Sequence, residues 1–192
     1  MEIVVVIGIF AAIAISIGNF QFDIFRNNRF SSDSLNTLYD ARTIVSTMVK
    51  ELRSASPGNT GAFTIVQAAT NTLTFFSDTD GDSLKEQIRY YLATTTLKKG
   101  VIKPTGNPLS YNSNNETFSY LAYNIRNSST TPLFEYFDTN YMGTSSPLTQ
   151  PVITTNVRLI KINLMIDVDP NRAPVIKTYT SQVSIRNLKD NL

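Results

Sequence analysis

The sequence predicts an α+β protein, a long N-terminal helix packed on an antiparallel β-sheet head. Three observations predict it. Residues 3–22 carry no charge, a helical apolar spacing continues to Arg53, and short β-branched runs fill the chain after Pro57. They divide the 192 residues into an apolar helix (1–22), its amphipathic continuation (23–56) and a β-rich globular head (57–192).

The first element reads IVVVIGIFAAIAISIGNFQF from Ile3 to Phe22. About 20 residues at about 1.5 Å each span about 30 Å, the thickness of a bilayer's hydrocarbon core. Ile3 to Ile17 is the densest part, and Asn19 and Gln21 soften the distal end. A membrane anchor fits this length. A cleaved signal peptide calls for a basic n-region, which Met1-Glu2 does not supply, although Ala12-Ile13-Ala14 resembles a small-x-small cleavage site. On charge alone, Arg26 and Arg29 argue that the side following the run is cytoplasmic. Glu2 has two readings. It is a solvated acid at a helix N-terminus, where negative charge is favourable, or a carboxylate at an apolar border that requires a cation.

The second element keeps a helical stripe of Leu35, Leu38, Val45, Met48 and Leu52. No proline precedes Pro57, and Ser54-Ala55-Ser56-Pro57-Gly58-Asn59 is a stop signal. A helix of about 50 residues is on the order of 75–80 Å long. Gly8 and Gly18 are points where it can loosen or pack closely.

In the head, strands are expected at Ala62–Ala68, Thr72–Phe76, Gln87–Ala93, Thr95–Ile102, Phe118–Ile125, Leu133–Phe137, Val157–Asp167 and Val175–Asn187. Arg158, Ile160, Ile162, Leu164 and Ile166 form a nearly all-apolar face, opposite the mixed face of Val157, Leu159, Lys161, Asn163 and Met165. Tyr179, Ser181, Val183 and Ile185 alternate with polar neighbours, as in a partly exposed strand. Residues 106–115 and 143–151 are loops by composition.

Composition narrows the chemistry. Seventeen basic and 15 acidic residues give a net charge of +2, too balanced to argue for nucleic acid. With no His and no Cys, thiolate nucleophiles, Ser-His-Asp triads, Cys/His zinc sites and disulfides are excluded. There is no Gly-rich phosphate loop and no acid pair in a catalytic context, so no enzyme is expected.

Asp78, Asp80 and Asp82 stand at every second position and are a candidate Ca²⁺ loop, with Glu86 nearby. The EF-hand pattern is not met, since Ser83 and Arg89 occupy the sixth and twelfth positions. A solvated hairpin turn competes with the metal reading and is favoured, because Asp and Gly are the usual turn formers. Asp167, Asp169 and Asn171, with Pro170 and Pro174, read as a turn between the last two strands. Lys98, Lys99 and Lys103, with Tyr90, Tyr91 and Tyr111, form a basic and aromatic cluster that suits DNA or a solvated strand face. Asn115-Glu116-Thr117 and Asn127-Ser128-Ser129 match glycosylation sequons, as chance allows in a chain rich in Asn, Ser and Thr.

Met1-Glu2-Ile3-Val4-Val5-Val6-Ile7-Gly8-Ile9-Phe10-Ala11-Ala12-Ile13-Ala14 resembles the N-terminal methylation motif of type IV pilins and type II secretion pseudopilins. In that family a peptidase cuts after a Gly, the new N-terminus is methylated, and a Glu follows as the fifth mature residue. Glu2 matches that Glu. The basic leader and the cleavage site would precede Met1, so no residue here is assigned to processing. The head is more loosely similar to minor pilins and J-type pseudopilins. The blocks are Phe75-Phe76-Ser77-Asp78-Thr79-Asp80-Gly81-Asp82, Ile88-Arg89-Tyr90-Tyr91-Leu92, Leu97-Lys98-Lys99-Gly100-Val101, Phe134-Glu135-Tyr136-Phe137-Asp138 and Val183-Ser184-Ile185-Arg186-Asn187-Leu188-Lys189.

The resemblance implies a pilin-like fold and a structural subunit of a pilus-like filament. Assembly would run through Glu2, Ile3, Val4, Val5, Val6, Ile7, Ile9 and Phe10. It implies other copies or related pilins as partners, a neighbour's terminal amine as the partner of Glu2, and the cytoplasmic (inner) membrane as residence before assembly. It also implies a prepilin peptidase, an assembly platform with an ATPase, and a head outside the cytoplasm, ending on a cell-surface filament. Some pilins bind DNA. The alternative is a membrane-tethered binding module for adhesion, DNA or secreted cargo that does not polymerise. A secreted enzyme cleaved near Ala14 lacks a catalytic set, and a sortase-linked subunit lacks a C-terminal sorting motif.

Overall fold

The computed structural model describes residues 2–170 and 175–188. Helix α1 runs from Glu2 to Arg53. The strands are β1 (Ile65–Ala68), β2 (Thr72–Ser77), β3 (Glu86–Ala93), β4 (Thr96–Ile102), β5 (Thr117–Ala122), β6 (Phe134–Phe137), β7 (Leu159–Asp167) and β8 (Ile176–Ser184). They form two antiparallel sheets, β1-β2-β3-β4-β5 and β6-β7-β8. The expected α+β architecture is thus present, with all eight predicted strands.

The chain divides into two compact units, Met1–Thr37 and Leu38–Leu192. The head therefore begins inside α1. Within it, Ala41, Val45, Met48 and Leu52 are buried at spacings of four, three and four, the seam a helix presents to a core. Leu35, expected on the same stripe, is 68% exposed, and Ala41 holds the next buried position instead. Lys50 and Arg53 in the last turn suit the negative end of the helix dipole.

Strand periodicity does the rest. Leu73 and Phe75 on β2, Ile88 and Tyr90 on β3, and Leu97 on β4 are buried together with the β7 face Ile160, Ile162 and Leu164. The apolar face expected on β7 is the buried one, which is what a period of two requires of a sheet with one side on a core. On β8 only Val183 is fully buried, so that strand is largely exposed.

Hydrogen bonds join the two sheets. Phe134 N donates to Thr70 O at 2.9 Å, and the Tyr136 hydroxyl donates to Ala69 O at 2.7 Å. The strand expected to reach Ile125 stops at Ala122. Asn124 takes a left-handed φ of 58°, and Ile125 then bridges to Ile166 of the other sheet. The described part of the final segment leaves β8 at Ser184 for a single turn, Arg186–Leu188.

Several buried polar groups are satisfied at these seams. Glu51, in the last turns of α1, accepts from the Tyr90 hydroxyl at 2.7 Å and from Lys99 Nζ at 2.5 Å, fastening the helix end to β3 and β4. Burial, then the Glu51 charge, push the Tyr90 hydroxyl's pKa well up, so it stays a donor. Asn127 donates to Thr131 O and Asn163 O and accepts from Met165 N. Arg126 clasps Asp167 at the end of β7. Arg89 reaches Glu116 over Gly100, where a Cβ would lie 1.9 Å from Glu116 Oε1, so only glycine leaves room for that ion pair.

Candidate functional sites: an apolar helix and an acidic turn

The first candidate is the start of α1. An uncharged run of β-branched and aromatic residues holds a helix here because, past the first turn, its backbone groups pair within the segment, the solution open to a chain in lipid or in a helical core. Glu2 stands in the first turn, where a carboxylate meets free N–H groups. Ile3, Val4, Val5, Val6, Ile7, Ile9 and Phe10 are all between 54% and 76% exposed. The exposure continues on every side through Ile13, Ile15, Ile17, Phe20, Phe22 and Phe25. The helix contains an 18-residue window apolar enough to cross a membrane, and none of that window is buried within the chain. A helix apolar all round is stable only with lipid or protein around it.

The second candidate is the turn joining β2 to β3. Ser77 pairs with Glu86 across the two strands, so Asp78 leaves β2 beside the first residue of β3. The turn is tied by its own carboxylates. Asp78 Oδ1 accepts from Gly81 N at 2.7 Å and Asp78 Oδ2 from Ser83 N at 3.1 Å, while Gly81 and Ser83 both take left-handed φ. The hairpin-turn reading of this segment therefore describes its backbone.

The three acids singled out by spacing do not all converge. Asp78, Asp80 and Glu86 each place a carboxylate oxygen within 4.8 Å of the others, whereas Asp82 stands outside that group and uses Oδ1 to accept from Leu84 N at 2.8 Å. Strand pairing brings Glu86, which the sequence placed only nearby, into the group. The signal in the sequence was the hairpin itself, since residues flanking a turn lie opposite each other. Glu86 is 1% exposed. Its Oε2 accepts from Thr79 N and Thr79 Oγ1 at 2.9 and 2.8 Å, and its Oε1 is buried with no hydrogen-bond partner. Lys103 pairs with Asp80, and Lys85 lies 3.6 Å from Asp78. The hydrogen bond from Lys103 holds the Asp80 carboxyl below its usual pKa.

The lysine and tyrosine cluster is split by the pleat. Lys99 faces inward to Glu51, and Tyr90 is buried. Lys98 lies on the other face, 4.9 Å from the Tyr120 ring, and Lys103 belongs to the acidic turn. Tyr111 donates to Lys85 O, and Tyr91 lies beneath Arg89. Sequence reasoning missed an exposed aromatic group beside Lys98, namely Phe118, Tyr120 and Tyr123 at edge strand β5.

Of the remaining expectations, Asp167 is the buried partner of Arg126 where the β7–β8 hairpin begins. Asn171 and Pro174 lie outside the described residues, as do Met1 and Lys189. Asn115 is exposed. Asn127 is 9% exposed with its amide nitrogen occupied, which removes it as a modification site in the folded head. Compared with known proteins, the chain matches no family model and no curated protein at a significant level.

Proposed function

We propose that this protein is a structural subunit, a pilin or pseudopilin, of an extracellular type IV pilus-like filament that assembles through its apolar N-terminal helix. One observation carries the reading. Residues 3–22 are apolar on all sides and unburied, while the same helix from Ala41 onward is built into a folded head. Burying one large apolar side chain is worth about 1.5–3 kcal/mol, so a few helices packed together are strongly held without covalent bonds. Before assembly the helix rests in the cytoplasmic membrane with the head on the far side. A prepilin peptidase and an ATPase-driven platform then handle it, as the resemblance at Glu2 to Ala14 implies.

Glu2 is the specific test. Removing one member of a buried ion pair costs about 3–5 kcal/mol. Glu2→Ala is therefore expected to lower filament yield by about two to four orders of magnitude while the head melts at the wild-type temperature. Filaments from the variant at normal yield would overturn the assembly role. A second reading, a tethered binding module, draws on Phe118, Tyr120 and Tyr123 beside Lys98. In that case the Glu2 variant keeps full function, and the chain is recovered only as a membrane monomer.

A further inference from the structure

We propose that the open edge of β5 binds an extended, acidic peptide strand of another protein, which adds to the sheet beside β5. The site lies in the head alone, whatever the N-terminal helix does. β5 ends its sheet and pairs only with β4. An edge strand is a template for a further strand, and proteins ordinarily guard such edges with charge, proline, bulges or covering chain. The other edges of the head are guarded. β1 is short and bulged between Ile65 and Gln67. On the outer side of β6, Phe134 N donates to Thr70 O and Leu148 N donates to Tyr136 O. β8 carries Lys177 in a mostly polar run. Residues 117–123, by contrast, contain no charge and no proline, and Phe118, Tyr120 and Tyr123 are 58%, 60% and 62% exposed.

Strand register places the free backbone groups. The two-residue turn Thr94-Thr95 closes on the pair Ala93–Thr96, and bonded pairs alternate with unbonded ones from there along β3 and β4. Lys99 and Val101 therefore turn their backbone to Ser119 and Thr117. The N–H and C=O of Phe118 and Tyr120 are then directed off the sheet, and among the described residues no backbone group meets them. Alternate donors and acceptors at strand spacing are what an extended chain satisfies.

Charge selects among extended chains. Lys98 and Tyr120 stand opposite each other across β4 and β5, with the ammonium 4.9 Å from the ring centre. Lys85, Arg89, Lys99, Lys103 and Arg126 each meet a carboxylate. Lys98 meets none among the described residues, so an acid on the incoming strand completes it. A second copy docking edge to edge brings no such acid, since residues 117–125 have none. The rings of Tyr120 and Tyr123 lie 6.3 Å apart and within 14° of parallel, a shelf for β-branched or aromatic side chains of the added strand.

The test is selection of a random peptide library, displayed on phage, against the full-length chain in detergent micelles, followed by amide hydrogen exchange with the enriched peptides bound. Enriched peptides are expected to alternate β-branched or aromatic residues with an acid and to slow exchange at Phe118 and Tyr120. Phe118→Pro removes an outward N–H without removing a β4–β5 bond and is expected to weaken binding about tenfold. Phe118→Thr keeps that N–H and is expected to weaken it less. Lys98→Glu is expected to turn the enriched charge from acidic to basic. Absence of enrichment over empty micelles overturns the proposal, as does slowed exchange confined to other strands. An unchanged charge preference in Lys98→Glu overturns the acidic partner. Dimers of the chain that Phe118→Pro abolishes would assign the edge to a second copy, and slowed exchange at Phe118 and Tyr120 with a single-stranded oligonucleotide but with no peptide would assign it to nucleic acid; either overturns the proposal.

Discussion

The two ends of α1 are made of similar residues and meet opposite fates. Ile3, Val5, Ile7 and Ile9 are at least half exposed, whereas Val45, Met48 and Leu52 are 0% exposed. Hydrophobicity does not separate them, since the exposed end is the greasier of the two. What separates them is the supply of a partner within the chain. The later turns are amphipathic and present one stripe, and β2, β3 and β7 provide a surface that matches it. The early turns are apolar all round, and one sheet face cannot cover a cylinder. A chain that keeps such a segment relies on lipid or on other copies, and this is the physical content of the proposed filament.

This contrast can be broken most severely at the buried end. Leu52→Ala is expected to destabilise the head by about 2–5 kcal/mol in denaturant titration, because Leu52 is fully buried in the core and its truncation leaves a cavity there. A loss below about 1 kcal/mol would show that the helix seam is not part of the cooperative core.

A smaller effect is expected at the seam between the sheets. The hydrogen bonds from Arg126 hold the Asp167 carboxyl below its usual pKa, and the Val175 N–H adds to them against the cost of burial. The folded pKa is depressed, so the stabilisation is fully present above the unfolded value of about 3.9 and fades as pH falls through the lower folded value. Asp167→Asn should therefore melt below wild type at neutral pH, and the gap should close as the medium is acidified below about pH 4. A gap independent of pH would mean that the ion pair is not its source.

The smallest effect sharpens the comparison from the other side. Ile9→Ala removes an exposed side chain and is expected to change head stability by less than about 0.5 kcal/mol, although the same kind of truncation at Leu52 is severe. A large loss in the head would show that residues before Thr37 stabilise it.

Much of this was legible in the sequence, because it follows from periodicity. A charge-free run of bilayer length, a stripe at helical spacing ending before Ser54-Ala55-Ser56-Pro57, and alternation along residues 158–166 each state a local geometry directly. The class, the eight strands and the buried face of β7 came from that. Strand ends were less legible, as at Ile125, because a left-handed Asn124 and a bridge to the second sheet set the boundary. The split into two sheets was not written in any single segment either.

The acidic turn draws the same line most clearly. Sequence alone determined that carboxylates cluster between two strands and that no His or Cys could join them. Tertiary structure decided which carboxylates meet. Asp82, two residues from Asp80, turned to cap Leu84 N, while Glu86 came alongside Asp78 and lost its water. Spacing along the chain fixes only local direction. Pairing across strands and burial of one oxygen depend on residues remote in sequence, and those contacts exist only once the chain has folded.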